Sequence, residues 1–167
     1  MILGIDPGPE LCAYAAVDLD YAILGSDKIS TKALIELLEF SAPQHVALES
    51  IQSYGMMVGR STFDTCYAIG RIMQACDQVC IPYTLYPRPE YSRRICGVGK
   101  VNDSVLRQAL LLRFGGDKKG EPLNALKGCS DKRSAFAVAC YHIDLMTHGR
   151  REHGPEVDRL QEMWDPG

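Results

Sequence analysis

The chain opens with MILGIDPG, a short apolar segment that ends in an acid and a turn. Apolar and β-branched residues bounded by Pro and Gly are typical of a buried strand followed by a turn. The pattern therefore predicts a strand over residues 2–6 with Asp6 at its carboxyl end. Gly8 allows a phosphate backbone to approach this turn closely.

Two further acids occupy comparable positions later in the chain. Residues 45–49, HVALE, predict a second short strand that ends in Glu49. Asp131 instead lies in the first turn of a predicted helix that ends near Gly149 and has Ser130 as its capping residue. The helix macrodipole favours a negative charge at that position.

Together, these three acids provide the oxygen ligands that a hard divalent cation prefers. Mg²⁺ and Mn²⁺ prefer oxygen ligands, and Mg²⁺ typically combines one or two carboxylates with waters and substrate phosphate oxygens. Singly, each acid has a simpler explanation: Asp6 as a turn residue, Glu49 as a solvated strand end and Asp131 as a helix cap. The order strand acid, strand acid, C-terminal helix acid is much rarer, and it predicts a metal site.

Five sequence blocks in this order resemble the RuvC-type Holliday junction resolvases, and most of all their short, phage-type members. The blocks are Gly4-Ile-Asp6-Pro-Gly8, Leu48-Glu49-Ser50, Tyr67-Ala-Ile-Gly70-Arg71, Gly97-Val-Gly99-Lys100 and Asp131-x-x-x-Ala-Phe-Ala-Val-Ala. The resemblance covers residues 1–148 and implies an α/β, RNase H-like fold with a mixed central β-sheet flanked by α-helices. It also implies a homodimeric, metal-dependent nuclease that nicks four-way or other branched DNA.

The resemblance assigns roles within the expected active site. Asp6, Glu49 and Asp131 would be the catalytic acids and would bind one or two Mg²⁺ or Mn²⁺ ions, and Lys100 would stabilise charge on the phosphate. The expected reaction is metal-assisted phosphodiester hydrolysis, which leaves a 5′ phosphate and a 3′ hydroxyl and needs no small-molecule cofactor. A two-fold dimer suits the two equivalent cleavage points of a symmetric junction.

One position departs from the pattern of this family. Many members carry another carboxylate one helical turn after the last acid, whereas this chain has Ser134 there. A neutral hydroxyl is a weak ligand for a hard cation, so a second ion would depend more on phosphate and water. Either the site works with three acids, or Asp103 or Glu10 assists from a loop, or activity is impaired. We favour the first interpretation.

The net charge of −3 conceals a segregation of charge along the chain. Residues 88–133 contain 11 basic and 5 acidic residues, whereas acids outnumber bases on either side. Each cation alone is explained by solvation, but a basic cluster of this kind can follow a phosphate backbone without reading sequence. The candidate DNA-contacting cations of this region are Arg88, Arg93, Arg94, Lys100, Arg107, Arg113, Lys118, Lys119, Lys127, Lys132 and Arg133.

Two loops provide further candidates for DNA contact. The segment 50–60 contains Tyr54, two methionines and Arg60, and its apolar side chains suit insertion at a junction centre, where bases are unstacked. Packing of the methionines under the loop or in a dimer interface is an equal alternative. The glycine-rich basic loop 115–120 suits ordering on DNA, and a solvated loop is its simpler description.

Hydrophobic periodicity and turn residues predict an alternation of strands and helices. Strands are expected near 2–6, 11–18, 21–29, 45–49 and 83–86, and helices near 31–41, 59–79, 89–96, 103–114 and 130–149. This order fits a mixed sheet with helices on its faces and the acids at one end. We expect residues 1–148 to form one nuclease domain. Residues 149–167 would form a polar tail that is partly disordered or docks Met163 and Trp164 on a partner.

Composition indicates a cytoplasmic protein without a membrane partner. A chain of 167 residues with 46% hydrophobic residues suits a single globular domain. No apolar run approaches the roughly 20 residues of a membrane span, and the chain enters a strand without a signal peptide. Its seven cysteines lie mostly in apolar segments, so we expect reduced, buried thiols.

Three other functions were weighed against a junction-resolving nuclease. A catalytically weak junction-binding protein is compatible with Ser134. A nuclease for other branched DNA or for RNA is also compatible, because metal-binding acids act on the phosphate and do not distinguish deoxyribose from ribose. An actin-like or sugar-kinase ATPase also begins with Gly-Ile-Asp-x-Gly, but this sequence has no later glycine-rich phosphate loop.

Overall fold

The computed structural model describes residues 1–52, 55, 57–98 and 101–149. In chain order, its elements are β1 Ile2–Asp6, β2 Leu11–Val17, β3 Ile23–Ser30, α1 Thr31–Ser41, β4 His45–Ser50, α2 Arg60–Gln78, β5 Tyr83–Pro87, α3 Arg88–Cys96, α4 Asp103–Phe114, a 3-10 turn Asn124–Leu126 and α5 Ser130–His148. The expected types and order of strands and helices are confirmed, with ends that differ by one or two residues. The tail prediction, with Met163 and Trp164, lies outside the described residues.

The five strands form one mixed sheet in the order β3-β2-β1-β4-β5. β1 runs antiparallel to β2 and parallel to β4, and β5 runs parallel to β4. Ile5 pairs with Leu48 in this register, so the residues that follow, Asp6 and Glu49, lie side by side at the carboxyl ends of β1 and β4. The shared direction of β1 and β4 therefore places both strand acids at one edge.

Helices cover both faces of the sheet, as expected for an α/β fold. Leu3 and Ile5 of β1 pack with the buried residues of α1 and α2, whereas Ile2 packs with those of α3, α4 and α5. Alternate residues of a strand face opposite sides. Gly4 and Asp6 therefore share the face that α5 covers.

Helix α5 lies directly on β1 at Gly4. A Cβ atom placed on Gly4 would lie 1.9 Å from the carbonyl oxygen of Ala135 and 2.8 Å from the Cβ of Ala139. Only glycine in the strand and small residues in the helix permit this approach. Asp131 lies one helical turn before Ala135, so the contact sets the acid of α5 beside the end of β1, where Asp6 lies.

The start of α5 differs from the sequence prediction. Cys129 precedes the helix without a capping hydrogen bond, and Ser130 is its first residue. The prediction that Ser130 caps this helix is wrong, because its hydroxyl donates to Oδ1 of Asp131 at 3.0 Å. By contrast, Ser30 caps α1 as predicted by accepting a hydrogen bond from the Ala33 amide.

The cysteines only partly meet the expectation of burial. Four of them are buried, but Cys66 and Cys80 are exposed. Cys66 lies on the outer side of α2, and Cys80 follows the end of that helix in a left-handed conformation with a φ of 56°. No helix within the described residues combines the length and apolar character needed to cross a membrane.

A polar cluster is enclosed between β4, β5 and α5. Nδ1 of His142 lies 2.7 Å from the Tyr86 hydroxyl, and the ring of His45 stacks on His142 with 4.0 Å between centroids. His45 in turn lies 2.9 Å from the Thr84 hydroxyl. Burial, reinforced by His45, lowers the pKa of His142 to about 4. This histidine is therefore neutral in the folded protein at pH 7.

Replacing Gly4 by Ala should destabilise the protein, because α5 must move away from β1 to admit the methyl group. We expect the free energy of unfolding, measured by urea denaturation, to fall by about 3 kcal/mol, the upper end of typical overpacking costs. Gly25→Ala in β3 is the matched control, because a Cβ there meets nothing within 4 Å. Equal stabilities of the two variants would show that β1 and α5 are not in close contact.

The low pKa of His142 predicts a loss of stability in acid. The unfolded chain takes up this proton near pH 6.5 and the folded chain only near pH 4, so the contribution is complete above pH 6.5 and is lost as the pH falls to 4. We expect wild type to lose about 2 kcal/mol more than His142→Gln between pH 7 and pH 4.5 in urea titrations. Parallel pH curves for the two proteins would contradict this assignment.

Candidate active site

The acids of β1, β4 and α5 gather at one edge of the sheet, as predicted. Asp6 and Glu49 end neighbouring parallel strands, and Asp131 lies in the first turn of α5. Burial, and after it the charges of Glu49 and Asp131, raises the pKa of Asp6 to about 8. Carboxylates perturb one another in this way only over short distances. The three acids therefore lie close enough to influence one another electrostatically.

Tyr91 of α3 holds Glu49 in place. Its hydroxyl donates to Oε2 of Glu49 at 2.7 Å, and the tyrosine is fully buried. Burial raises the pKa of Glu49, and the Tyr91 hydrogen bond opposes that rise. Burial and the Glu49 charge also raise the pKa of Tyr91, so its hydroxyl stays protonated and keeps donating. No local sequence pattern marks Tyr91 as part of the site.

Lys28 of β3 is a second neighbour of the acids, and no local sequence pattern marks it as part of the site. Its Nζ lies 2.5 Å from Oδ2 of Asp131, and this hydrogen bond is the main reason that the pKa of Asp131 is lowered. Asp6 pairs with Ala13, and Ala13 pairs with Lys28, so these three residues form one row across the sheet. Lys28, Asp6 and Asp131 line a common cleft, and Glu10 contributes to its wall.

Arg88 approaches the acids from the other side. It is the first residue of α3 and directly follows β5. Its Nη1 donates to the Ser134 hydroxyl at 3.2 Å, and its Nη2 donates to the carboxylate of Asp103. The position where related proteins are expected to carry another acid is thus occupied by a serine that accepts from a cation.

The two acids considered as helpers lie in different settings. Asp103 begins α4 rather than lying in a loop, and its side chain is 57% exposed. Its carboxylate pairs with Arg88, and its charge contributes to raising the pKa of Glu49. Glu10 is exposed and borders the cleft that contains Asp6 and Asp131. Within the described residues, neither acid joins the other three as a direct member of the cluster.

Some of the expected DNA-binding cations are exposed. Arg60 begins α2, with its Nε 3.8 Å from Oδ2 of Asp64, and Arg93 is exposed on α3, whereas Arg94 is half-buried. Lys118 and Lys119 are also exposed. Tyr54 and Lys100, a DNA-contact candidate and the expected catalytic cation, lie outside the described residues.

Other cations of the basic region serve the fold. Lys132 and Arg133 donate to the carbonyl oxygens of Ala125 and Leu126 at 2.5 and 3.4 Å, which ties α5 to the preceding 3-10 turn. Arg113 forms two hydrogen bonds with the buried carboxylate of Asp144. The expectation that Arg113 belongs to a phosphate-tracking surface is therefore wrong, because both of its Nη atoms donate to Asp144 within the fold.

The acids fit a hard divalent cation by their chemistry and by their surplus charge. Three carboxylates supply the oxygen ligands that Mg²⁺ and Mn²⁺ prefer. The high pKa of Asp6 reflects burial first, and after it the charges of Glu49 and Asp131, which the neighbouring cations oppose without cancelling. Within the described part of the chain, no group of three His, Cys, Asp or Glu residues is arranged as a ready ligand set. The Lys28 contact occupies Asp131, so binding an ion between the acids requires Lys28 to release it.

The chain is similar to known proteins in structure but not detectably in sequence. No protein-family model matches the chain, and no curated protein matches it. Thermus thermophilus RuvC in complex with a Holliday junction substrate matches with a TM-score of 0.65 and 18% identity, covering 84% of this chain and 91% of that chain. Another Thermus thermophilus RuvC structure gives a TM-score of 0.68 at 16% identity, covering 89% and 96%.

The yeast mitochondrial Holliday junction resolvase Ydc2 is also similar, with a TM-score of 0.54 and 12% identity over 97% of this chain and 83% of that chain. Identities this low establish likeness of fold. The mixed five-stranded sheet with helices on both faces, and its likeness to these three solved structures, confirm the expected architecture. The chain has the RNase H-like fold of the RuvC-type resolvases.

Proposed function

We propose that this protein is a metal-dependent, structure-selective endonuclease that resolves four-way DNA junctions by paired symmetric nicks. The observation that carries the proposal is the cluster of Asp6, Glu49 and Asp131 at one edge of the sheet, with a raised pKa at Asp6. The fold supports it, because a Thermus thermophilus RuvC structure with this fold contains a Holliday junction substrate.

The residues of the cluster have distinct parts in this chemistry. Asp6 and Asp131 offer carboxylate oxygens from β1 and α5, and Tyr91 orients Glu49 through its hydrogen bond to Oε2. A divalent cation bound there would place positive charge on the scissile phosphate and lower the pKa of a water. Lys28, once released from Asp131, has its ammonium at the mouth of the cleft, where a phosphate would arrive.

We also propose that the protein acts as a homodimer through the outer face of α2. Phe63 and Tyr67 have exposed fractions of 52% and 69% on this helix, and a shallow groove beside Tyr67 is lined by Ile35, Gly70 and Gln74. Exposed aromatic side chains beside a groove are typical of a protein interface. A two-fold dimer would present two active sites to the two equivalent strands of a junction.

Replacement of Asp6 by Asn should abolish cleavage while leaving junction binding intact, because the change removes one ligand charge and little volume. We expect paired symmetric nicks from wild type with Mg²⁺ or Mn²⁺, no nicks with chelator, and a nicking rate at least about 100-fold lower for Asp6→Asn. A labelled synthetic four-way junction and denaturing gels provide the measurement, with a mobility-shift assay for binding. Asp20→Asn, an exposed turn residue away from the cleft, is the matched control.

The same assay separates the alternative functions. Binding without nicks in either metal would favour a catalytically weak junction-binding protein, in agreement with the missing fourth acid at Ser134. Cleavage of flaps, three-way junctions or RNA in preference to the four-way junction would favour a nuclease for other substrates. Absence of both binding and nicking on the four-way junction would contradict the proposal.

Tyr67→Glu should convert the dimer to a monomer, because two buried charges would face each other across a two-fold interface. Size-exclusion chromatography with light scattering should give twice the chain mass of 18.5 kDa for wild type and about that mass for the variant. Leu112→Glu on α4, where Leu112 is 64% exposed, is the control and should remain dimeric. A monomeric wild type would refute the proposed assembly.

A further inference from the structure

A positive charge lies where a fourth acid of the site is expected. Ser134 is 1% exposed and lies one helical turn after Asp131. Its hydroxyl accepts from Nη1 of Arg88 at 3.2 Å, and Nη2 of the same guanidinium donates to Asp103. The guanidinium is therefore fixed at two points, and the serine provides one of them.

The sheet brings Arg88 to the acids. Pro87, the last residue of β5, pairs with Ser50, which follows Glu49 in β4. Arg88 comes immediately after Pro87, so it starts from the same edge of the sheet as Glu49. In agreement with this placement, its charge opposes the rise in the pKa of Glu49 and of Asp6, and it contributes to the lowered pKa of Asp131. One arginine thus acts on all three acids.

The charges of the site are close to balance for one divalent cation. Asp6, Glu49 and Asp131 carry three negative charges when all are ionised, and the two cations Lys28 and Arg88 oppose them. The remaining charge is then −1, so one divalent cation is enough to neutralise it. A second would leave an excess of positive charge in a partly buried site, with Arg88 as its direct competitor.

From this geometry we infer that the site binds a single divalent cation, and that the guanidinium of Arg88, seated on Ser134, supplies the positive charge that a second cation would otherwise place beside the phosphate. Arginine suits this part because it is always charged and has five N–H donors, of which these contacts use two. It also binds phosphate oxygens in a bidentate manner. The part of this inference that concerns the phosphate rests on the proposed nuclease function. The number of cations bound per chain does not depend on that function.

The test measures Mn²⁺ binding without DNA, by calorimetry and by electron paramagnetic resonance of free Mn²⁺. Wild type should bind one Mn²⁺ per chain. Arg88→Met should bind Mn²⁺ about tenfold more tightly, because a neighbouring positive charge is removed. On a four-way junction at saturating Mn²⁺, the same variant should nick at least about 100-fold more slowly. A purely structural role for Arg88 would weaken metal binding and cleavage together.

Two further variants sharpen the result. Arg93→Met removes an exposed arginine from the same helix and should leave Mn²⁺ affinity and stoichiometry unchanged. The double variant Arg88→Met, Ser134→Asp combines removal of the cation with a fourth carboxylate and should bind two Mn²⁺ per chain. Circular dichroism melting curves check that each variant is folded, and the wild-type stoichiometry decides the inference even if Arg88→Met does not fold.

Two Mn²⁺ ions, or none, bound to wild type would overturn the inference, and so would weaker Mn²⁺ binding by folded Arg88→Met. One ion in wild type together with tighter binding in the variant would support it. If wild type nicks no junction, the proposed function fails, and the stoichiometry and the direction of the affinity change still decide whether Arg88 replaces a cation.

Discussion

The contact between β1 and α5 determines where the acids of the candidate active site lie. Gly4 has no side chain, so the backbone of the strand meets Ala135 of the helix directly. Asp6 lies two residues further along the strand and Asp131 one turn earlier in the helix, so both acids are fixed by the same contact. The parallel neighbour β4 then adds Glu49 at the same edge. Three acids distant in sequence are thus held together by backbone packing rather than by contacts among themselves.

Such a cluster is costly unless opposite charges or ligands compensate it, and the structure shows how the protein limits that cost. Lys28 binds Asp131, and Tyr91 donates to Glu49, while Asp6 lacks a comparable partner in the described residues and has the raised pKa. The contacts to Asp131 and Glu49 therefore stabilise the folded state, whereas burial and the neighbouring acids disfavour the carboxylate form of Asp6, which a bound cation would stabilise. Some residues of the site therefore stabilise the folded protein, and another favours the binding of a cation.

The sequence predicted the acids and the elements that carry them, because strand ends, turns and helix starts leave local patterns. Lys28, Tyr91 and the Arg88–Ser134 contact were not predictable in the same way. Lys28 reaches the site through the register Asp6, Ala13, Lys28 across three strands, and Tyr91 meets Glu49 from a separate helix. The predicted capping role of Ser130 is wrong for a related reason, because the Ser130 hydroxyl donates to a competing acceptor, the carboxylate of Asp131. Local patterns identify candidate residues, but tertiary packing selects their partners.

The central claim is that Asp6, Glu49 and Asp131 form one cation site once Lys28 releases Asp131. Crystals of the protein soaked in Mn²⁺ and measured at the manganese absorption edge test it most directly. We expect one anomalous peak within about 2.3 Å of carboxylate oxygens of these acids, with the Lys28 ammonium moved away from Asp131 and the Arg88 guanidinium still on Ser134. An anomalous map without a peak at this edge of the sheet, with Lys28 still bound to Asp131 at saturating Mn²⁺, would contradict it.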